Sequence, residues 1–123
     1  MSFCTVINCM DGRTQIPVIE FARERFGAEY ADTITEPGPN GILAGREDPV
    51  KVQSILDRID ISVDKHGSSG IVIVGHHDCA GNPTAKDQQL QHLEQAVAFL
   101  RDSYPQVEVV SVWVNEDWCV EVV

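Results

Sequence analysis

Gly70-Ile71-Val72-Ile73-Val74-Gly75-His76-His77-Asp78-Cys79 is the stretch that decides the fold. Its β-branched run from Ile71 to Val74 is apolar on both faces, as expected of a central parallel strand covered by helices on either side. Gly75 ends the run, and a tight turn follows in which His76 and Cys79 stand three apart. That spacing lets both side chains reach one metal ion.

Working back from this strand, Phe3 to Asn8 predicts a first short strand. The polar, glycine-containing turn Asp11 to Thr14 follows, so a loop begins at Cys9. Pro17 suits a first helical turn, and Val18, Phe21, Ala22 and Phe26 recur at helical spacing up to Gly27, a C-terminal stop. Ala31 to Thr35 predicts a second strand, and Pro37-Gly38-Pro39-Asn40-Gly41 an irregular loop. Asp48-Pro49 reads as an N-cap with a first-turn proline. The stripe Val52, Ile55, Leu56, Ile59 and Val63 then predicts a second long helix through about Lys65. Downstream, Leu90, Leu93, Val97 and Leu100 mark one face of a third helix over Ala85 to Arg101. Val107 to Val114 and Trp118 to Val122 predict a hairpin around Asn115-Glu116-Asp117.

Alternating strands and helices predict an α/β fold with a parallel-core sheet: about four parallel strands plus a C-terminal antiparallel edge strand, flanked by helices. Ligands of such sheets bind beyond the carboxyl ends of the strands, where Cys9 and His76 both sit. A chain of 123 residues, 43% of them hydrophobic, suffices for one domain with a real core, and we expect a single zinc-binding α/β domain over residues 1–123.

The balance of 9 Lys plus Arg against 19 Asp plus Glu gives a net charge of −10. That charge disfavours binding to nucleic acid and to anionic membrane surfaces. No apolar run approaches the roughly 20 residues of a membrane span, and Met1 to Asn8 lacks the features of a secretory signal. A cytoplasmic location is the expected default. In a reducing compartment the four cysteines, Cys4, Cys9, Cys79 and Cys119, are metal ligands, catalytic thiols or buried apolar residues rather than disulfide partners.

Cys9-Met10-Asp11-Gly12-Arg13 follows the first strand as His76 to Cys79 follow the central one, and neighbouring parallel strands would set the two loops side by side. Cys9, His76 and Cys79 form a soft N/S set that suits one Zn2+ and leaves a fourth tetrahedral position open, as catalytic zinc sites do. Asp11 and Arg13 are close enough to pair. An ionised, aimed carboxylate beside an open metal position can accept a hydrogen bond from metal-bound water, or can bind the metal itself and shut the site. Two thiolates offset the ion's charge, so the active form is expected toward higher pH. Cys4 and Cys119 lack such company and read as strand residues that pack. His77 is a candidate proton shuttle, but a surface or hydrogen-bonding role is the commoner one for such a residue and for His66 and His92. Asp78 either orients its neighbours or bonds turn amides. Trp113 and Trp118 read as core or interface anchors. A phosphate loop is excluded because Gly-x-x-x-x-Gly-Lys is absent, and Cys9 lies too near Arg13 to wrap a phosphate.

Cys-x-Asp-x-Arg followed by Gly-His-x-x-Cys, carried here by Cys9, Asp11, Arg13, His76 and Cys79, resembles the β-class carbonic anhydrases, and the order of elements agrees over most of the chain. The resemblance implies reversible hydration of carbon dioxide to bicarbonate by a zinc-bound hydroxide. It further implies zinc ligation by Cys9, His76 and Cys79, a gating dyad of Asp11 and Arg13, and a homodimer or higher homo-oligomer with sites at the interface. Other substrates of the same site would be carbon disulfide or carbonyl sulfide, and a non-catalytic zinc-binding relative is the remaining alternative. The chain departs from the family pattern in several places. Eight residues precede Cys9, where members carry a helical arm that makes dimer contacts. Gly12 replaces the usual Ser of the dyad, and His77 the frequent Thr. Glu36-Pro37-Gly38-Pro39-Asn40-Gly41 lacks the Arg of the usual Arg-Asn-Ala-Gly segment, and the pocket glutamine of plant-type members has no counterpart upstream of Cys9.

Overall fold

A computed structural model describes residues 2–123. Five strands, β1 (Phe3–Cys9), β2 (Tyr30–Glu36), β3 (Gly70–His76), β4 (Glu108–Val114) and β5 (Val120–Val122), form one sheet in the order β2-β1-β3-β4-β5. The first four are parallel and β5 runs antiparallel to β4, as the alternation of elements predicts. Because β1 and β3 are neighbours, with Ile7 opposite Ile73, their carboxyl ends lie side by side.

The helices are α1 (Gln15–Phe26), α2 (Pro39–Gly45), α3 (Pro49–Asp60) and α4 (Lys86–Ser103). Every residue of β3 is buried, which explains its unbroken apolar run. Ile71 and Ile73 join Ile7, Leu43, Ile55 and Leu93 in the larger core, under α2, α3 and α4. Val72 and Val74 join Val6, Val18, Ala22 and Val112 in the core under α1. Each such buried side chain stabilises the fold by about 1.5–3 kcal/mol, so the central strand anchors both layers. Among the described residues no helix is long and apolar enough to cross a membrane.

Three expectations are corrected. Pro37 to Gly41 is not wholly irregular: Gly38 turns left-handed (φ 64°), Pro39 begins α2, and Leu43 and Ala44 bury the short helix. The buried contacts of this helix of about two turns outweigh the poor local signal. The second long helix does not run regularly to Lys65. It widens after Asp60 into a π-turn in which the His66 amide donates to the Ile61 carbonyl. Val63 stays buried, while Ser62 reaches the Asp32 carboxylate. Cys119 does not pack in a strand: β5 starts at Val120 and Cys119 is exposed in the preceding turn. Trp113 is a core residue, whereas Trp118 is half-buried at the margin of the core under α1.

Candidate metal centre

Residues at the carboxyl ends of β1 and β3 converge on one point: Cys9 and His76 are the last residues of their strands rather than the first of the loops, and Cys79 follows in the turn after β3. The Sγ atoms of Cys9 and Cys79 and a ring nitrogen of His76 lie within 4.8 Å of one another, with all three residues buried, and could hold a metal ion. The two sulfurs are 3.9 Å apart, too far for a disulfide, and the cysteines are free. His76 Nδ1 lies 2.7 Å from the His77 carbonyl oxygen, which can only accept, so Nδ1 carries the proton. That leaves the lone pair on Nε2, which is buried without any hydrogen-bond partner. Such an orphan costs about 1–3 kcal/mol unless something satisfies it.

Electrostatics sharpen the cluster. A hydrogen bond from the Cys79 thiol holds Cys9 well below the ordinary thiol range, and backbone hydrogen bonding from Gly38 and Asp11 adds to this against the effect of burial. The same contact with Cys9, followed by burial, pushes Cys79 up. Burial weakens the basicity of His76, but the Cys9 sulfur and the His77 carbonyl raise it by more. The Cys9 thiolate and the His76 imidazole thus face each other in a buried cluster, the soft N/S donor set that a soft cation takes once the ring is neutral.

Two glycines let the loops meet. A Cβ on Gly81 would lie 2.3 Å from the Pro37 carbonyl carbon, and one on Gly38 would lie 2.7 Å from the Gly81 carbonyl carbon. Backbone therefore touches backbone between the β2–α2 loop and the loop carrying Cys79. Gln89 on α4 fixes His76 from below: its Nε2 donates to the His76 carbonyl (2.9 Å) and its Oε1 accepts from the His76 amide (3.3 Å). Gln15 Nε2 donates to the carbonyls of Cys9 (2.8 Å) and Asp11 (2.9 Å), tying the first loop to α1.

Asp11 and Arg13 sit at the mouth. Arg13 Nε donates to Asp11 Oδ1 (3.0 Å) and Nη2 to Oδ2 (2.7 Å), a bidentate pair, while the Arg13 amide donates to Oδ1 (2.9 Å). These bonds hold the Asp11 carboxyl at a pKa of about 2, so it is ionised at any physiological pH. The same pairing raises the already high pKa of Arg13.

A sequence model of the family described as "Putative carbonic anhydrase" matches residues 1–123. The chain belongs to this family. Among solved structures, one of two tetrameric β-carbonic anhydrases from the filamentous ascomycete Sordaria macrospora superposes with a TM-score of 0.58 and 11% identity, over 97% of this chain and 79% of that one. The β-carbonic anhydrase CafA of the fungal pathogen Aspergillus fumigatus gives 0.58 and 12%, over 97% and 74%. At these identities the likeness shows a shared fold, the β-carbonic anhydrase fold. Among curated proteins, none matches the chain.

Within this carbonic anhydrase family member, several residues acquire roles that their sequence context did not reveal. Asp78 neither caps turn amides nor stands free: its Oδ2 accepts from Arg13 Nη1 (3.3 Å) and its carbonyl from Nη2 (3.2 Å). The Trp118 ring lies 4.2 Å from the Arg13 guanidinium carbon. His77 is exposed, and it acts on the cluster through its carbonyl. His66 bonds Asp32 (2.6 Å) at the opposite end of the sheet, and His92 bonds Asn82 (2.9 Å). The pairings of Arg13 with Asp78 and Trp118, and of His66 with Asp32, leave no local sequence signal, because each joins segments far apart in the chain.

Proposed function

We propose that residues 1–123 form one zinc-binding α/β domain that catalyses the reversible hydration of carbon dioxide to bicarbonate and a proton. The observation that carries this reading is the orphaned, correctly tautomerised His76 Nε2 facing two sulfurs. A tetrahedral zinc with bonds of about 2.3 Å to each of two thiolates needs them about 3.8 Å apart, and the sulfurs stand at 3.9 Å. Cys9, His76 and Cys79 would hold the ion. When bound, zinc acidifies a water molecule and so supplies a nucleophile at moderate pH.

The protein's own residues prepare that chemistry. Cys79 and Cys9 must both be deprotonated to ligate, so the proton they share is released on metal binding. Asp11, ionised and held on two oxygens by Arg13, is an acceptor that can take a hydrogen bond from water at the mouth and fix its orientation. Association into a homo-oligomer is part of the reading. Met10, next to Cys9, and Ile16, in the first turn of α1, are 64% and 69% exposed, and the Sordaria macrospora enzymes that share the fold are tetramers.

Stopped-flow carbon dioxide hydration by zinc-replete protein, from about pH 7 to 9, tests the proposal. Turnover that rises with pH and disappears on chelation is the expected result. No turnover with one zinc bound per chain would overturn it, and would turn attention to carbon disulfide or carbonyl sulfide as substrates.

A further inference from the structure

Among the described residues, three that are not glycine have positive φ: Arg46 (51°), Asp78 (58°) and Trp118 (60°). Two of these three grip the same guanidinium. Left-handed backbone costs a non-glycine residue about 1–2 kcal/mol, and more readily so for a bulky side chain such as tryptophan. Strain of this kind persists only where the surroundings impose it, and it clusters at functional sites.

The surroundings of Trp118 do impose it. Asn115 builds the turn before β5: its Oδ1 accepts from the amides of Asp117 (2.9 Å) and Cys119 (3.0 Å), and its carbonyl accepts from the Trp118 amide (2.9 Å). The Asn115 amide in turn donates to the Cys119 carbonyl at 3.0 Å. The turn carries the indole over Arg13, with the His77 ring edge-on to it at 6.3 Å.

Resting on the function proposed above, we infer that Trp118 is a positioning residue for Arg13, and through it for Asp11. The bidentate bonds to Asp11 fix the guanidinium within its own plane. Asp78 takes donors on the far side of that plane's edge. The Asp78 bonds are long, at 3.3 and 3.2 Å, so they resist tilting out of the plane only weakly, and Arg13 is exposed enough (side chain 45%) for water to compete. The indole face supplies a further restraint, since a guanidinium carbon held over the ring at 4.2 Å from its centroid cannot move away without losing both cation–π attraction and contact area. The C-terminal hairpin thereby closes the site on the side away from β1.

Three variants separate positioning from packing. Trp118→Phe keeps an aromatic face, Trp118→Leu keeps apolar volume without one, and Asn115→Ala removes the side chain that shapes the turn. The first readout is NMR of the Arg13 Nε–H in zinc-free and zinc-loaded protein: solvent exchange and ¹⁵N relaxation. Exchange should quicken several-fold in Trp118→Leu and Asn115→Ala and stay near wild type in Trp118→Phe. The second readout is carbon dioxide hydration, where kcat/KM should fall about fivefold in Trp118→Leu, equivalent to about 1 kcal/mol at 1.36 kcal/mol per decade, and recover in Trp118→Phe. An Arg13 signal equally restrained in Trp118→Leu overturns the inference, whatever the activity. Activity lost in Trp118→Leu with Arg13 unmoved also overturns it, because that outcome belongs to packing alone. Wild-type protein without turnover would instead defeat the carbonic anhydrase reading, and the NMR arm would still decide whether Trp118 holds Arg13.

Discussion

Replacing Gly81 by alanine tests whether two glycines are what allow the metal loops to meet. The added Cβ would lie 2.3 Å from the Pro37 carbonyl carbon, 2.7 Å from the Gly38 nitrogen and 2.7 Å from Pro37 Cβ, where ordinary contacts begin at 3.4 Å. Since 3.4 less 2.3 is 1.1 Å, and the atoms met are mostly backbone, the loops must part by about 1 Å. Overpacking of this kind costs about 1–3 kcal/mol. With a urea m-value of about 2 kcal/mol/M, a cost of about 2 kcal/mol lowers the denaturation midpoint by about 1 M. Metal affinity should fall as well, because backbone hydrogen bonding from Gly38 lowers the Cys9 pKa and that from Gly81 lowers the Cys79 pKa. Loss of such supporting partners typically costs about 10–100-fold in affinity, measurable by competition with a chromophoric chelator. Gly12→Ala is the control: a Cβ there meets no heavy atom within 4 Å, so the midpoint should move by no more than about 0.5 kcal/mol equivalent. A Gly81→Ala protein that matches Gly12→Ala in both stability and affinity would refute the close-approach argument.

Asp11→Asn should retain one zinc per chain and lower carbon dioxide turnover by roughly 100-fold, the scale on which a positioned acid–base group acts; unchanged turnover would remove Asp11 from the reaction. Arg13→Ala should return the Asp11 titration from about 2 toward 3.8, followed by side-chain carbonyl NMR. The sign follows from linkage: a carboxyl depressed in the folded state stabilises above its unfolded pKa, and that stability is lost as pH falls from about 4 through 2. Arg13→Ala should therefore flatten the stability profile in that window. Tyr104→Phe removes a buried hydroxyl that donates to Asp60 Oδ1 (2.6 Å) and lies 3.2 Å from the Leu56 carbonyl, and should cost about 1 kcal/mol by denaturation. Burial and Asp60 push the Tyr104 pKa well up, so this loss should not vary with pH up to about 9.

The strands and three of the four helices are legible in the sequence because burial on one or two faces writes a period into the chain. Ile71 to Val74 has to be central, and Val52 to Ile59 has to face a core. Helix α2 is not legible, since its seven residues begin Pro39-Asn40-Gly41 and owe their order to Leu43 and Ala44 in the core. Cys9, His76 and Cys79 can be read as a candidate cluster because each lies at the end of a recognisable strand, where topology brings neighbours together. Asp78 and Trp118 carry no comparable mark. Their partner Arg13 is 65 and 105 residues away in sequence, and the turn geometry that aims them is imposed by Arg13 and Asn115 together rather than by either segment alone.

The sheet carries buried polar clusters at both ends, and a difference between them bears on function more than either cluster by itself. At the amino ends, Thr5 Oγ1 pairs with Ser62 Oγ (2.6 Å) and Ser68 Oγ (2.7 Å), Ser62 donates to Asp32 (2.7 Å), and Ser68 donates to the Gly70 carbonyl (3.0 Å). Every member has its partner, as a network that only holds β1, β2 and β3 in register must. At the carboxyl ends lie both of the unpartnered buried side-chain nitrogens found among the described residues, Trp113 Nε1 and His76 Nε2. Trp113 is 3% exposed, so its unpaired N–H accompanies the burial of a large ring whose transfer from water outweighs it. His76 has no such offset. Its imidazole is small, its tautomer is fixed by the His77 carbonyl, and its free lone pair faces two sulfurs that compete for one proton. A fully satisfied cluster serves the register of the strands, whereas one that leaves a buried imidazole nitrogen unpartnered beside two sulfurs costs about 1–3 kcal/mol until something satisfies it. That asymmetry is a physical reason, independent of any family likeness, to look for a ligand at the carboxyl end of the sheet.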